Sequence, residues 1–266
     1  MRNRLAMALL GAGLALQGVP VQPCSIFSCR TEAGTFFCGN EDWTATDPAF
    51  MTVPPRDGAY GYVAFGWASY LPDYVQAGIN SEGLCFDWAV VPPQRFVSTP
   101  GKKPLPLDAT VEILKTCATV AEALAFIEKN DFPNLANEHL FLADRKGSSC
   151  VVEYVRGQVR IVKGSAYLAA TNFHLTDTSL GWYPCERYER ITAGLSGETG
   201  KLVPADLVRL LDAAHQEGAY PTIYSYVFDL SRMKLTVFFR HDYTRSKEYL
   251  VADLLASGRT VRIAAR

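Results

Sequence analysis

Cys24-Ser25-Ile26-Phe27-Ser28-Cys29-Arg30-Thr31-Glu32-Ala33-Gly34-Thr35-Phe36-Phe37-Cys38-Gly39-Asn40-Glu41-Asp42-Trp43 is the stretch whose reading decides the fold. Its residues alternate as strand residues do on both sides of Thr31-Glu32-Ala33-Gly34, and Gly34 can take the positive φ that closes a tight turn. The segment therefore reads as a β-hairpin, with Cys24 at the head of its first strand.

What precedes Cys24 gives that position its interest. Arg2 and Arg4 lead into an apolar run from Leu5 to Leu16, shorter than the roughly 20 residues a membrane span needs. Residues 1–18 read as a signal peptide and not as a stable membrane anchor, so the mature protein is expected to be secreted or periplasmic. Gly18 is the best small residue for signal peptidase to cut behind and Pro23 a poor one, which makes residues 19–23 a short pro-segment that something else removes. Lipidation of Cys24 would want Leu, a small residue and Gly or Ala ahead of it, where the chain has Val21, Gln22 and Pro23. A mature chain starting at Cys24 would carry thiol and free α-amine on one residue, which could then serve as both nucleophile and base. That amine has an ordinary pKa of about 7.7 to 8.0 and takes up a thiol proton near neutral pH.

Composition sets the wider limits. The chain has 266 residues, 48% hydrophobic and 12% aromatic, so residues 24–266 suffice for one large domain with a full core. A formal net charge of −1, with the charges scattered, leaves no basic stripe for nucleic acid or anionic lipid. Seven cysteines in an exported chain leave at least one thiol unpaired, and Cys24 is the natural odd one. Among Cys29, Cys38, Cys85, Cys117, Cys150 and Cys185 the pairing is open, Cys29 with Cys38 being the one local pair proposed. There is no C-x-x-C, no H-E-x-x-H, and the four histidines are dispersed, so neither metal nor cofactor is expected.

Further strands are expected at Tyr60 to Phe65, Tyr74 to Ile79 and Leu84 to Val90, the last two joined by the turn Asn80-Ser81-Glu82-Gly83. Helices follow at Leu107 to Cys117 and Val120 to Asn130, the second opened by a Thr119–Glu122 capping box. The chain then returns to strands at Glu138 to Ala143, Ser149 to Tyr154, Gln158 to Val162 and Ala166 to Thr171. A helix from about Ala205 to Gln216 precedes strands near Thr222 to Asp229 and Leu235 to Arg240, and Ser246 is expected to cap a last helix to Ala256. This order argues for layered α+β and against a parallel doubly wound sheet. Two antiparallel sheets face to face with helices outside, a four-layer αββα sandwich, would bury strands as apolar as Tyr167 to Ala170 on both faces.

Cys24, then Gly39-Asn40-Glu41-Asp42-Trp43, then Gly78-Ile79-Asn80-Ser81-Glu82-Gly83-Leu84 closely resemble the choloylglycine hydrolase and penicillin V acylase family of N-terminal-nucleophile hydrolases. Cys117 to Ala123, Leu142-Ala143-Asp144 with Gly147 and Glu153, Ala170-Thr171-Asn172, Arg187-Tyr188 and Thr222 to Ser225 match in the same order. The resemblance implies an αββα sandwich, a cysteine that exposes itself, and hydrolysis of a non-peptide amide on a small N-acyl substrate. It assigns Cys24 as nucleophile and Asp42 as its support, with a hairpin centred on Ala33-Gly34 bringing Asp42 diagonally close to Cys24. It assigns Asn172 and Asn80 as donors around a developing oxyanion, and Arg187 as the cation that lowers the thiol pKa and holds Asp42. Asn80 also has a simpler use, in its own turn. Better-known members carry an arginine three residues before the aspartate where this chain has Gly39, a loss for which Arg30 or Arg187 would have to compensate. The family's tetramer is not assumed for a chain shorter than its typical members, and a homo-oligomer is left open.

Other readings are an acyltransferase of the same fold, a papain-type Cys-His hydrolase, or a disulfide-bonded binding domain without catalysis. The papain type would need a histidine base and sets its cysteine at a helix start, which the alternating segment contradicts. His174, two residues past Asn172, is left out of the catalytic set. The acyl group would be met by loops such as Trp43 to Pro54 and Trp67 to Tyr74, whose aromatic and apolar character suggests an aromatic or fatty acyl chain.

Overall fold

The computed structural model describes residues 24–105 and 109–264; the expected signal peptide and pro-segment, 1–23, lie outside them. In chain order the strands are β1 (Ser25–Thr31), β2 (Gly34–Asp42), β3 (Pro48–Val53), β4 (Tyr62–Trp67), β5 (Ala77–Asn80), β6 (Cys85–Val90), β7 (Lys103–Pro104), β8 (Asn130–Asp131), β9 (Glu138–Ala143), β10 (Ser149–Val155), β11 (Gln158–Lys163), β12 (Tyr167–Ala170), β13 (Thr222–Asp229), β14 (Lys234–Phe239), β15 (Ser246–Leu250) and β16 (Thr260–Arg262). The α-helices are α1 (Thr110–Thr116), α2 (Val120–Lys129), α3 (Glu186–Ser196), α4 (Pro204–Ala214) and α5 (Val251–Ser257). Fourteen of the strands fall into two sheets, a six-stranded one ordered β12-β1-β2-β13-β14-β15 and an eight-stranded one ordered β11-β10-β9-β6-β5-β4-β3-β16.

The hairpin is centred on Glu32-Ala33, one residue before the expected Ala33-Gly34, and pairs Thr31 with Gly34 through to Ser25 with Asn40. Gly34 sits at φ +145°, with Ser231 Oγ 3.0 Å from where a Cβ would be, so a larger residue would be both strained and crowded there. Alternation along the two strands then sorts the side chains. Cys24, Ile26 and Phe37 face the eight-stranded sheet and pack with Phe65, Phe141 and Tyr226. Phe27, Cys29, Phe36 and Cys38 take the reverse face and meet Ile191, Leu195, Leu207 and Leu211 of α3 and α4. On the far side, Ile113, Leu114, Ala123 and Ile127 of α1 and α2 cover Phe86, Trp88, Leu140 and Leu142. Three apolar layers between four structural ones make the αββα sandwich, each buried Leu, Ile or Phe contributing about 1.5–3 kcal/mol.

The capping reading of α2 holds with a shift of one residue. Thr119 Oγ1 accepts from Glu122 N at 3.2 Å, while Glu122 Oε2 accepts from Ala118 N at 2.6 Å. Elsewhere the structure corrects the expectation. Ser246 opens an edge strand paired with β14, not a helix cap, and Tyr249 from that strand packs on Phe50 at 5.4 Å between ring centroids. Part of the expected Trp43 to Pro54 loop is β3, held between β4 and β16. All seven cysteines are free thiols. Phe36, not Cys38, lies opposite Cys29, so the proposed pair is diagonal, at a typical separation of about 7 Å or more, beyond ordinary disulfide reach.

Candidate active site

Continuing the hairpin register one step past Ser25 and Asn40 sets Cys24 opposite Glu41, and opposed residues share a face. The thiol accordingly donates to Glu41 Oε2 at 3.4 Å, and Gln76 Nε2 lies 3.9 Å from Sγ. Both Cys24 and Glu41 are fully buried. Asp42, one residue on, turns its carboxylate to the reverse face, where Oδ1 accepts from Thr222 Oγ1 at 2.5 Å and Oδ2 from Gln216 Nε2 at 2.8 Å. Its backbone N–H is the part that favours the Cys24 thiolate directly.

Arg187, in the first turn of α3, ties these pieces together. Nη1 donates to the Cys24 carbonyl at 2.8 Å and to Ser25 Oγ at 2.7 Å, and stands 3.8 Å from Asp42 Oδ2. Nη2 donates to Asn172 Oδ1 at 2.8 Å. The planar fork thus joins β1, the end of β2 and the loop after β12, a geometry an ammonium cannot reproduce. Asn172 in turn donates from Nδ2 to the Val90 carbonyl at 2.8 Å. Its loop is pinned by Glu153, which accepts from Leu175 N at 2.6 Å and Thr176 N at 3.1 Å. His174 is buried, with Nε2 at 3.0 Å from the Pro92 carbonyl.

Of the five expected site residues, Cys24, Asp42, Asn172 and Arg187 are brought together. Asn80 is not. Its Nδ2 donates to the carbonyls of Leu114 at 2.8 Å and Cys117 at 2.7 Å, and its Oδ1 accepts from Glu82 N at 3.1 Å and Leu84 N at 3.0 Å. That exhausts both donors and both lone pairs of the amide, so the side chain stitches its own turn to the end of α1.

Sequence reasoning missed a set of acids behind Cys24. Glu41 is buried beside Asp87 of β6, whose charge adds to burial in raising its pKa, and Asp87 accepts from Tyr226 OH at 2.5 Å and Gln76 Nε2 at 3.1 Å. Tyr74 OH donates to Glu138 at 2.7 Å and lies 3.2 Å from Gln76 Oε1. The hairpin parity that faces Cys24 with Glu41 and the lone Asp87 in an apolar strand were the signals available. Tyr226 also explains Gly39. The two are directly opposed in β13 and β2, and a Cβ on Gly39 would come within 2.6 Å of the phenol ring and hydroxyl. The arginine of better-known members therefore has no room here. Of the two proposed substitutes, Arg187 is in the site, whereas Arg30 is six residues along β1, about 20 Å away at strand spacing.

Burial dominates the electrostatics. It pushes the Cys24 thiol well up, and Glu41, Asp87 and Asp42 add to the shift by charge repulsion. It also pushes Asp42 up to about 7, against the opposing pull of Arg187, Thr222 and Gln216. Glu41 is raised by burial and by Asp87 beside it. The apolar cluster that contains Cys24 also holds a row of aromatic rings. Trp43 lies 6.0 Å from Trp67, and Trp67 is 6.3 Å from Tyr224, between ring centroids. Trp67 Nε1 and Tyr224 OH are both buried without a partner.

The dispersed histidines are partly gathered by folding. His215 stacks on His241 at 4.7 Å, and with Glu217 they place three ligand atoms within 4.8 Å of one another, a set of the type that divalent zinc accepts. Gln216, between His215 and Glu217, donates to Asp42 Oδ2 at 2.8 Å, so the cluster adjoins the Asp42 side of the site.

A strand-initial cysteine between the two sheets of an αββα sandwich, with asparagine, aspartate and arginine gathered round it, defines the N-terminal-nucleophile hydrolase architecture. The chain belongs to the acyl-coenzyme A:6-aminopenicillanic acid acyl-transferase family, whose model matches residues 29–242. Among solved structures it is similar to a variant of the conjugated bile acid hydrolase from Clostridium perfringens, with a TM-score of 0.71 at 13% identity, covering 91% of this chain and 97% of that one. It is also similar to penicillin V acylase from Agrobacterium tumefaciens, with a TM-score of 0.65 at 18% identity, covering 81% and 82%. No curated protein matches the sequence significantly.

Proposed function

We propose that this is an exported amidohydrolase whose mature chain starts at Cys24 and which cleaves the linear amide C–N bond of an N-acylated small molecule. The observation that carries the reading is Arg187 joining the Cys24 carbonyl, Asn172 and Asp42, in a chain of this family. Once residues ahead of Cys24 are gone, the α-amine takes the thiol proton and Sγ attacks the amide carbonyl. Asn172 and Arg187 favour the oxyanion, the amine leaves, and water assisted by the α-amine hydrolyses the thioester. Removing one fixed donor of this kind costs about 10² to 10³ in rate. Trp43, Trp67 and Tyr224 form the wall that receives an aromatic or long apolar acyl group, and the unpartnered Trp67 Nε1 and Tyr224 OH supply hydrogen bonds to its polar atoms.

The test is N-terminal sequencing of the exported protein together with a panel of N-acyl amides on wild type and Cys24→Ala. The panel includes bile-salt amides, phenoxyacetyl penicillins and N-acyl homoserine lactones. A chain starting at Cys24 with turnover lost in the variant is expected; full activity with upstream residues still attached refutes the mechanism. The family's acyl-transferase description favours one second reading, in which an amine and not water takes the acyl group from Cys24. Product partition in the presence of a free amine distinguishes the two.

A further inference from the structure

In the uncut chain the nitrogen of Cys24 is a Pro23–Cys24 amide and cannot accept the thiol proton, so self-exposure of the cysteine needs a base from elsewhere. The group in contact with Sγ is Glu41, at 3.4 Å. Behind it lies Asp87, itself held by Tyr226 OH and Gln76 Nε2. All of these side chains are buried. Two neighbouring carboxyl groups buried away from water hold a proton between them, since desolvation and charge repulsion oppose ionising both. Glu41 Oε1 is buried without a hydrogen-bond partner, which leaves one oxygen of the carboxyl group free to take up a proton.

Resting on the self-exposure read above, we propose that Glu41 and Asp87 form the proton relay for cleavage of the Pro23–Cys24 bond, a step in which the α-amine cannot yet serve. Glu41 takes the thiol proton on one oxygen as its own proton passes to Asp87. Sγ attacks the Pro23 carbonyl carbon through a five-membered ring. The tetrahedral intermediate collapses with the C–N bond breaking, and the relay returns a proton to the departing Cys24 nitrogen. The product is a Pro23 thioester on Sγ and a free α-amine. Water then hydrolyses the thioester, releasing the Pro23 carboxyl group and restoring the thiol, so the net change is addition of one water across the peptide bond. The pair thus serves maturation, and the amine it liberates takes over as base in turnover. The upward shift that burial and neighbouring acids impose on the thiol agrees with a proton that must be taken during attack.

The test is cell-free synthesis of the full chain in a mixture without signal peptidase or other protease, following loss of the first 23 residues by intact mass. Wild type is expected to cut itself, Cys24→Ala not at all, and Glu41→Gln and Asp87→Asn at least about 10²-fold more slowly, the usual scale of positioned acid–base catalysis. Glu41→Asp, which keeps the carboxyl, should recover part of the rate. Cleavage of Glu41→Gln and Asp87→Asn at the wild-type rate overturns the relay, and so does a loss confined to variants that lack a cooperative thermal transition. A wild-type chain that never cuts itself, yet hydrolyses N-acyl amides once a protease frees Cys24, also overturns it and leaves the amidase reading standing. A self-cleaved chain with Glu41-dependent cutting and no amidase activity supports the relay and fails the amidase reading.

Discussion

Gly39→Ala should be strongly destabilising. The added Cβ would meet Tyr226 Cζ and OH at 2.6 Å and Cε1 at 2.7 Å, all well inside van der Waals contact. The ring cannot step aside easily, because it is fully buried, stacks near Phe37 at 6.1 Å and Phe65 at 5.8 Å, and donates to Asp87 at 2.5 Å. Overpacking of this kind costs about 1–3 kcal/mol, and loss of a buried bond to a carboxylate roughly 1.5–3 more. The expected destabilisation is therefore about 2.5–6 kcal/mol, which lowers Tm by roughly 5–24 °C in a domain of this size. Thermal unfolding followed by circular dichroism measures it, and Tyr226→Leu in the same chain should relieve the steric part. A Gly39→Ala protein that melts within a degree of wild type would refute the packing account, and with it the explanation of why an arginine is missing at this position.

Arg187→Lys replaces a fork that reaches the Cys24 carbonyl, Ser25 Oγ and Asn172 Oδ1 at once. It should lower kcat/KM for the substrate found in the amide panel by at least about 10²-fold with the chain still folded. Asn80→Ala should behave in the opposite way. It leaves two buried carbonyls and two backbone N–H groups without partners, costs about 3 kcal/mol or more of stability, and spares the rate of the folded fraction; a rate collapse at unchanged Tm would return Asn80 to the site. Glu138 is raised by burial from 4.5 to about 7, so the folded state holds a proton that the unfolded chain releases. Its contribution is present below the unfolded value and is lost as pH rises through about 7, to the extent of about 3 kcal/mol. Urea midpoints of wild type and Glu138→Gln should accordingly draw together at about pH 5 and separate at about pH 8, with the variant the more stable there; a constant gap would contradict the shift.

The fold was legible wherever one face of an element is apolar and the other has its own partner. The hairpin is the clearest instance, because Phe27, Phe36 and Cys38 serve one layer while Ile26 and Phe37 serve the next, and the turn at Gly34 fixes the register. It was not legible at β15, where Ser246, Glu248 and Leu250 are exposed and Lys247 and Tyr249 are half-buried. An edge strand paired on one side to β14 carries too little apolar alternation to outweigh a serine that resembles a helix cap. β3 was missed for a related reason, since Pro48 and the turn residues before it read as a loop. The proline is tolerated as the first residue of the strand.

The site divides along the same physical line. Cys24, Asp42, Asn172 and Arg187 are singled out by motif resemblance, yet what joins them is one guanidinium reaching from a helix start to three segments far apart in sequence, which no spacing rule contains. Asn80 was overread because an asparagine before Ser-Glu-Gly has two uses, and the four bonds of its amide in the folded chain are those of the turn. Glu41 was underread for the converse reason. It sits beside the aspartate that the motif picks out, but strand alternation sends the two carboxyl groups to opposite faces of the sheet. Asp42 thereby meets Arg187 and the helical layer, while Glu41 meets the thiol and Asp87 between the sheets. A single β-strand thus presents one acid to the Arg187 guanidinium and the next acid to the sulfur itself. Exchanging the two by a one-residue slip would leave each buried charge facing the wrong partner, which is why the Gly34 turn that sets the register is as much a part of the site as Cys24.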